Sequence, residues 1–213
     1  MRWRYLALAT VLVGAVLFVL QFNTTSAAED DGAMAVDCDA GTAGVQANCA
    51  YASGATFSIQ VHVTKAPAGG YFLFQAKVRW NEAALDYLPA ASMSDEALWP
   101  ACTIGVRFDK QPAPPNGLGE PSVVFGCLPI PSLSTGDTFT GAVLQFQFQC
   151  QQDGHAPLEL VPRPGDAQGG TLLVGVNIQA IEPELTGATV LCGGRLTIAP
   201  ASRPVGTAHR SSR

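Results

Sequence analysis

The sequence predicts an all-β protein, specifically an antiparallel-rich β-sandwich of about nine strands. Short segments alternate apolar and polar residues along the chain, and no segment beyond the N-terminal run has a convincing amphipathic helical period. Glycine and proline, 22 and 15 of the 213 residues, separate these segments. With 47% hydrophobic residues, the chain can bury one core of ordinary domain size.

The first segment of the chain predicts a secretory signal peptide over residues 1–28. A basic start, MRWR, precedes an uncharged run over residues 6–20 and then TTSAAED, with cleavage expected after Ala27 or Ala28. The alternative is an uncleaved membrane anchor, but a spanning helix needs about 20 apolar residues. We therefore expect a secreted, extracellular or cell-surface protein that touches a membrane only through an uncleaved N-terminal segment.

The charge of the remaining chain argues against nucleic acid as a partner. All 17 acidic groups lie in residues 29–200, whereas five of the 12 basic groups lie in the first four or last eleven residues. Residues 29–200 therefore carry a net charge of 7 − 17 = −10. Such a domain repels phosphate. The tail over residues 200–213 is small and polar, and we expect it to be disordered.

Six cysteines follow the predicted signal, and an even number in an exported chain predicts three disulfides. No CxxC pair occurs, and the three histidines are scattered, so we expect no metal site and no cofactor. The cysteines are Cys38, Cys49, Cys102, Cys127, Cys150 and Cys192.

The first strands read clearly from their alternation. AMAVDCD leads into a predicted loop over residues 41–54, and ATFSIQVHVT then places Phe57, Ile59, Val61 and Val63 on one face. His62 falls on the polar face, where we expect a solvated side chain and not a catalytic one.

The next strand, over residues 71–80, directs Trp80 inward, and its period then changes. Ala84, Leu85 and Leu88 recur at helical spacing, which predicts a single helical turn between two strands.

Two further strands, ACTIGVRFD and SVVFGCL, flank the Pro-rich connection KQPAPPNGLGEP. A hairpin centred on Pro114 and Pro115 would place Cys102 opposite Cys127, which predicts a disulfide between them. The pairing of Cys38 with Cys49 would close a local loop, and the pairing of Cys150 with Cys192 would join two inward-facing strand ends. The remaining predicted strands lie in TFTGAVLQFQFQC, LELVPR, TLLVGVNIQAI and ATVLCGGRLTIA.

The order GATFSIQVHVT, Gly-rich turn, FQAKVRWNEAALDYLPA resembles the cohesin family, in which this strand ends in an aromatic-Asp-Pro-x-x-Leu-Glu-Tyr corner. GDTFTGAVLQFQFQC and CGGRLTIAP are similar to the family's seventh and closing strands, so the resemblance spans residues 34–199. It implies a jelly-roll-like sandwich that binds a dockerin-like protein. It also implies that the first and last strands lie side by side, which leaves a Cys38 to Cys192 disulfide open as the rival pairing.

The same resemblance assigns roles in the corner. Leu85 would plug the open end of the sandwich before Tyr87 starts the next strand. Asn81 stands where the family has Asp and can still accept a hydrogen bond from the backbone amides of the turn. Glu82 replaces the family's Pro.

The sequence lacks the common catalytic motifs. GxSxG, HExxH and GxxxxGK[ST] are all missing, so we expect no enzymatic activity. Asp37 and Asp39 could begin a calcium loop, but the carboxylate at its twelfth position is missing. A solvated acidic turn is the favoured interpretation, as for most of the chain's acidic residues.

Three functions compete: recognition of a secreted protein partner, binding of a polysaccharide, and a structural role in a cell envelope or extracellular matrix. Because Trp80 points inward, a flat glycan could stack only on Trp99, Tyr51, Tyr71 or Tyr87. We take Trp99, Tyr71 and Tyr87 as the candidate binding residues. A lid over the core is the favoured alternative for Trp99.

Overall fold

A computed structural model describes residues 31–92, 95–111, 121–129, 136–166 and 169–194. The predicted signal peptide and the predicted tail lie outside these ranges, as do all six residues of RLTIAP (195–200) in the predicted closing strand. The described residues form no α-helix and thirteen strands. The strands are β1 (Ala33–Asp37), β2 (Asn48–Tyr51), β3 (Thr56–Lys65), β4 (Leu73–Trp80), β5 (Leu85–Leu88), β6 (Ile104–Gln111), β7 (Ser122–Leu128), β8 (Gly141–Cys150), β9 (Gly154–Leu160), β10 (Leu172–Val174), β11 (Ala180–Ile181), β12 (Glu184–Thr186) and β13 (Ala188–Cys192).

The strands form two sheets whose inner faces enclose one core. The five-stranded sheet has the order β12-β1-β3-β8-β5. The eight-stranded sheet has the order β11-β10-β4-β9-β13-β2, with β7 added to β4 and β6 added to β7. Among the inward residues of β3 and β4, Ile59, Val61, Phe74 and Trp80 are at most 1% exposed. The predicted all-β sandwich is therefore confirmed.

The number of strands exceeds the predicted nine because several of the thirteen are very short. β2, β10, β11 and β12 have two to four residues each, too few to show a period of two. β2 lies within the segment predicted as a loop, and it pairs in parallel with β13. β12 pairs in parallel with β1, so hydrogen bonding to neighbours distant in sequence defines these strands.

The corner after Trp80 carries the chain from the eight-stranded sheet to the five-stranded sheet. The Asn81 carbonyl accepts hydrogen bonds from the amides of Ala84 (3.1 Å) and Leu85 (2.9 Å), which closes one helical turn. Leu85 is fully buried. Its strand, β5, begins at Leu85 itself, two residues before the predicted start at Tyr87.

The Asn81 side chain caps this turn, since its Oδ1 accepts a hydrogen bond from the Ala83 amide at 2.9 Å. We expect Asn81→Ala to lower the free energy of unfolding by about 1 kcal/mol, the usual cost of a lost side-chain cap. Urea denaturation measures this loss. Asn81→Asp keeps the acceptor and should stay close to wild type; equal losses in both variants would show that the cap contributes nothing.

The three disulfides are Cys38–Cys49, Cys102–Cys127 and Cys150–Cys192, the pairs that we predicted, so the Cys38 to Cys192 alternative is not adopted. The last of them links β8 in one sheet to β13 in the other. It therefore fastens the two layers of the sandwich together across the core.

The hairpin register predicted for Cys102 and Cys127 was wrong. Cys127 lies opposite Gly105 and not opposite Cys102, so β6 is shifted by three residues along β7. Cys102 precedes β6 in a turn in which its amide donates to the Trp99 carbonyl at 2.9 Å. The two cysteines meet because this turn folds back toward the end of β7, with their Cα atoms 5.6 Å apart.

Candidate functional site

The outer face of the five-stranded sheet is polar. Alternation along β8 directs Gln145, Gln147 and Gln149 outward, and their partners on β3 include Ser58 and Gln60. The Gln60 amide donates to the Gln145 side chain at 3.3 Å. Such a face is well solvated, and it has little apolar area to bury against a partner.

The outer face of the other sheet carries apolar side chains on β10, β7, β6 and the first residue of β4, beside the outward Gln75 and Lys77 of β4, and we call this surface the β6 face. Phe74, Ala76 and Val78 of β4 point into the core, so Leu73 and Lys77, which alternate with them, point outward. The residues of the neighbouring strands that pair with Leu73 and Lys77 point outward as well. The register then places eight apolar side chains on this surface. They are Leu73, Ile104, Val106, Phe108, Val124, Leu128, Leu172 and Val174, of which Val124 is only 3% exposed.

The most exposed part of the β6 face is β6 itself. Ile104, Val106 and Phe108 are 43%, 46% and 55% exposed and alternate along the strand. Among the described residues, β6 hydrogen-bonds only to β7, so no described strand pairs with its other edge. An exposed apolar face on an edge strand is what proteins ordinarily avoid, and it marks an interaction site when retained.

Buried polar contacts hold β6 from beneath. Between the apolar residues, Arg107 points inward, and its Nη1 lies 2.8 Å from Oε1 of Glu96 and 3.2 Å from the Ala90 carbonyl. The same Glu96 oxygen accepts from the Tyr87 hydroxyl at 2.9 Å. Glu96 is 2% exposed, so the prediction that the acidic residues are mostly solvated is wrong for it.

An ion pair bounds the β6 face where β4 approaches β9. Lys77 points outward, yet its side chain is only 5% exposed because Asp166 covers it, with Nζ to Oδ distances of 2.8 Å. The Asp166 carboxylate also accepts from the Gly170 amide at 3.0 Å, which shapes the segment that follows β9. Nearby, Arg79 pairs with Glu159 in a solvated contact.

The three aromatic residues predicted as binding residues lie in the core. Trp99, Tyr71 and Tyr87 are 2%, 0% and 1% exposed, so none offers a ring to a ligand. Trp99 packs on Tyr71 with ring centroids 5.1 Å apart, and its indole Nε1 donates to Asp137 at 2.9 Å. This position matches the lid over the core and corrects the alternative of a sugar platform.

The hydroxyl groups of Tyr71 and Tyr51 are also shielded from solvent, as their raised pKa values indicate. Burial, and secondarily the Asp137 carboxylate, raises the pKa of Tyr71 well above its usual value. Burial, followed by the charges of Asp39 and Asp37, raises the pKa of Tyr51 to about 12. The Tyr51 ring stacks on Phe57 at 4.2 Å. Among the described aromatic residues, Phe108 is the one with an exposed ring, so these residues form no row of rings on which a glycan could stack.

Asp37, the last residue of β1, and Asp39 organise the loop that follows the strand. Asp37 is 1% exposed, which corrects the prediction of a solvated turn, and its Oδ1 accepts from the amides of Asp39 and Gln46 at 3.0 Å each. Both contacts satisfy backbone donors that burial would otherwise leave unpaired. Within the described residues, no three His, Cys, Asp or Glu side chains gather to hold a metal.

His62 is half-buried, in contrast to the solvated position that we predicted. Its Nε2 lies 3.1 Å from the Gln60 side chain and 3.6 Å from the Asp37 carboxylate. Burial lowers the pKa of His62, while Asp37 acts in the opposite direction. These contacts belong to the polar outer face, far from the apolar surface.

A polar cleft of about 700 Å³ lies beside β12, and its lining mixes both signs of charge. Asp31, Glu182 and Glu184 face Lys65 and Arg163, with Arg163 and Glu182 3.7 Å apart. This mixture favours no simple ion.

Among the residues that the structure describes, no helix has the length and the apolar character needed to span a membrane.

The fold matches solved cohesin structures. The sixth cohesin of Acetivibrio cellulolyticus scaffoldin B, crystallised with a Cel5 dockerin mutant, aligns with a TM-score of 0.53 and 9% identity, over 76% of this chain and 98% of that one. The cohesin module of a Clostridium perfringens family 33 glycoside hydrolase aligns with a TM-score of 0.53 and 8% identity, over 78% and 99%. No protein-family model and no curated protein matches the sequence. The chain thus has a cohesin-like fold, as the sequence resemblance implied.

Proposed function

We propose that this chain is an exported, non-catalytic recognition module that binds a secreted, dockerin-like protein through the β6 face. The observation that carries this proposal is the exposed apolar triplet of Ile104, Val106 and Phe108 on an edge strand. It is supported by the fold shared with a cohesin that was crystallised with a dockerin.

The chemistry of the β6 face favours a protein over a polysaccharide. Aliphatic side chains of three neighbouring strands can bury apolar area against a partner, whereas a flat glycan needs exposed aromatic rings, hydrogen-bonding groups or both. The glutamine-rich outer face offers hydrogen-bonding groups, but it has no exposed aromatic ring among its described residues. A purely structural subunit has no need of an exposed apolar surface.

The test is capture of a defined partner. Secreted proteins with dockerin-like paired calcium loops, encoded in the same genome, are produced and tested one by one for binding to the full chain. We expect one to be captured in calcium and released by a chelator. Failure of all of them, together with glycan-array binding that Gln147→Ala destroys, would replace the proposal with the polysaccharide function. No binding in either assay would favour the structural role.

A further inference from the structure

The tip of the β10–β11 hairpin holds an isoleucine in a conformation that ordinarily belongs to glycine. The Gly175 amide donates to the Gln179 carbonyl at 3.0 Å, and the Ile178 amide donates to the Gly175 carbonyl at 2.9 Å. These bonds define a three-residue loop in which the last residue is left-handed, and Ile178 has a φ of 58°. Glycine or asparagine is usual at this position.

Burial of the Ile178 side chain does little to offset its backbone strain. A β-branched side chain at positive φ is a genuine backbone outlier. The ten other described residues with positive φ are all glycine, so Ile178 departs from the rest of this chain. Its side chain is 62% exposed, the largest exposure among the large apolar residues described, so burial offsets little of the strain.

The hairpin tip continues the β6 face. Val174, the last residue of β10, pairs with Leu73 of β4, and Ile104 pairs with Leu128 at the same end of the sheet. The loop follows Val174 directly. It adds a second exposed apolar residue, Val176, at 40%. Both residues therefore lie in the loop at the end of the sheet where the β6 face ends.

We infer that Ile178 is a specificity-determining contact for the protein partner, retained at a cost in stability because its apolar side chain enters the interface. This inference rests on the proposed function. An apolar side chain held on a tight hairpin loses little conformational freedom on binding, so it suits a partner that presents an apolar depression beyond the edge of its main contact surface.

The test compares the full chain with Ile178→Asn and Ile178→Gly, using the dockerin-like protein captured as above as the probe. Both variants relieve the strain, so we expect melting temperatures to rise by about 2–4 °C, more for Asn than for Gly. We also expect affinity, measured by calorimetry, to fall about tenfold or more. Ile178→Val should change neither quantity greatly, and Val45→Asn, at an exposed apolar site outside the β6 face, serves as the matched control.

The outcomes separate this inference from the function on which it rests. A higher melting temperature with unchanged affinity would overturn the contact role of Ile178, and an unchanged or lower melting temperature would overturn the strain. Either result leaves the proposed function standing as long as wild type binds. If no dockerin-like protein binds wild type, the proposed function fails and this inference fails with it, whatever the melting temperatures.

Discussion

Val106→Glu should abolish capture of the partner protein and leave the fold intact. Val106 lies between Ile104 and Phe108 on the exposed side of β6, at the middle of the apolar triplet. A carboxylate there would have to lose its water against an apolar partner, and an unpaired charge in an interface costs several kcal/mol. We expect the affinity to fall by about 100-fold or more, measured by calorimetry.

Gln147→Glu is the matched control, because it places the same carboxylate at an exposed strand position on the opposite outer face. It should bind like wild type. Both variants should unfold within a few degrees of wild type, since both side chains are substantially exposed. Full binding by Val106→Glu, or equal losses in the two variants, would exclude the β6 face as the interface.

Asp166→Asn should destabilise the domain by about 3 kcal/mol or more, measured by urea denaturation. The substitution removes the carboxylate that lies 2.8 Å from the Lys77 ammonium, and both side chains are almost fully buried, at 5% and 7% exposure. Breaking a buried pair leaves a poorly solvated charge, which costs more than the pair itself contributes.

Glu159→Gln is the control for this substitution, because it breaks the Arg79 contact at a site where the side chains are 34% and 48% exposed. Exposed pairs contribute less than about 1 kcal/mol. Replacing both members of the buried pair, as in Lys77→Met with Asp166→Leu, should recover much of the lost stability. A loss for Asp166→Asn no larger than that for Glu159→Gln would show that Lys77 remains solvated.

Local patterns in the sequence were sufficient for the fold and for the corner that crosses between the sheets. Alternation alone assigns the inner residues of β3, β4 and β8. The change of period after Trp80 predicts the helical turn and the burial of Leu85, because both depend on residues within one short segment. The Cys102–Cys127 pair was also predicted, although from a wrong hairpin register, whereas the sequence left a Cys38 to Cys192 alternative open for the other four cysteines.

The candidate surface could not be predicted from the sequence, because the apolar side of an alternating strand ordinarily faces the core and in β6 it does not. In β6, apolar Ile104, Val106 and Phe108 alternate with Gly105 and Arg107, which would ordinarily put the apolar side inside. The structure does the reverse. Arg107 turns inward to Glu96, and an added Cβ on Gly105 would lie 2.8 Å from the Phe125 ring.

Buried carboxylates were the other unpredictable feature, because their contacts depend on how the strands assemble. Asp166 meets Lys77 across 89 positions. Arg107 reaches Glu96 only because the side of β6 that carries Arg107 faces the core. Such contacts appear when the sheets assemble, and composition gives no sign of them.

The most direct test of the β6 face as the recognition surface is methyl cross-saturation by NMR on the complex of the full chain with its captured partner. Saturation of the partner's protons should attenuate the methyl signals of Ile104, Val106 and Leu128, and leave those of Leu88, on the outer side of β5, unchanged. Attenuation of Leu88 with no effect on Ile104 and Val106 would place the interface on the other sheet and contradict the proposed recognition surface.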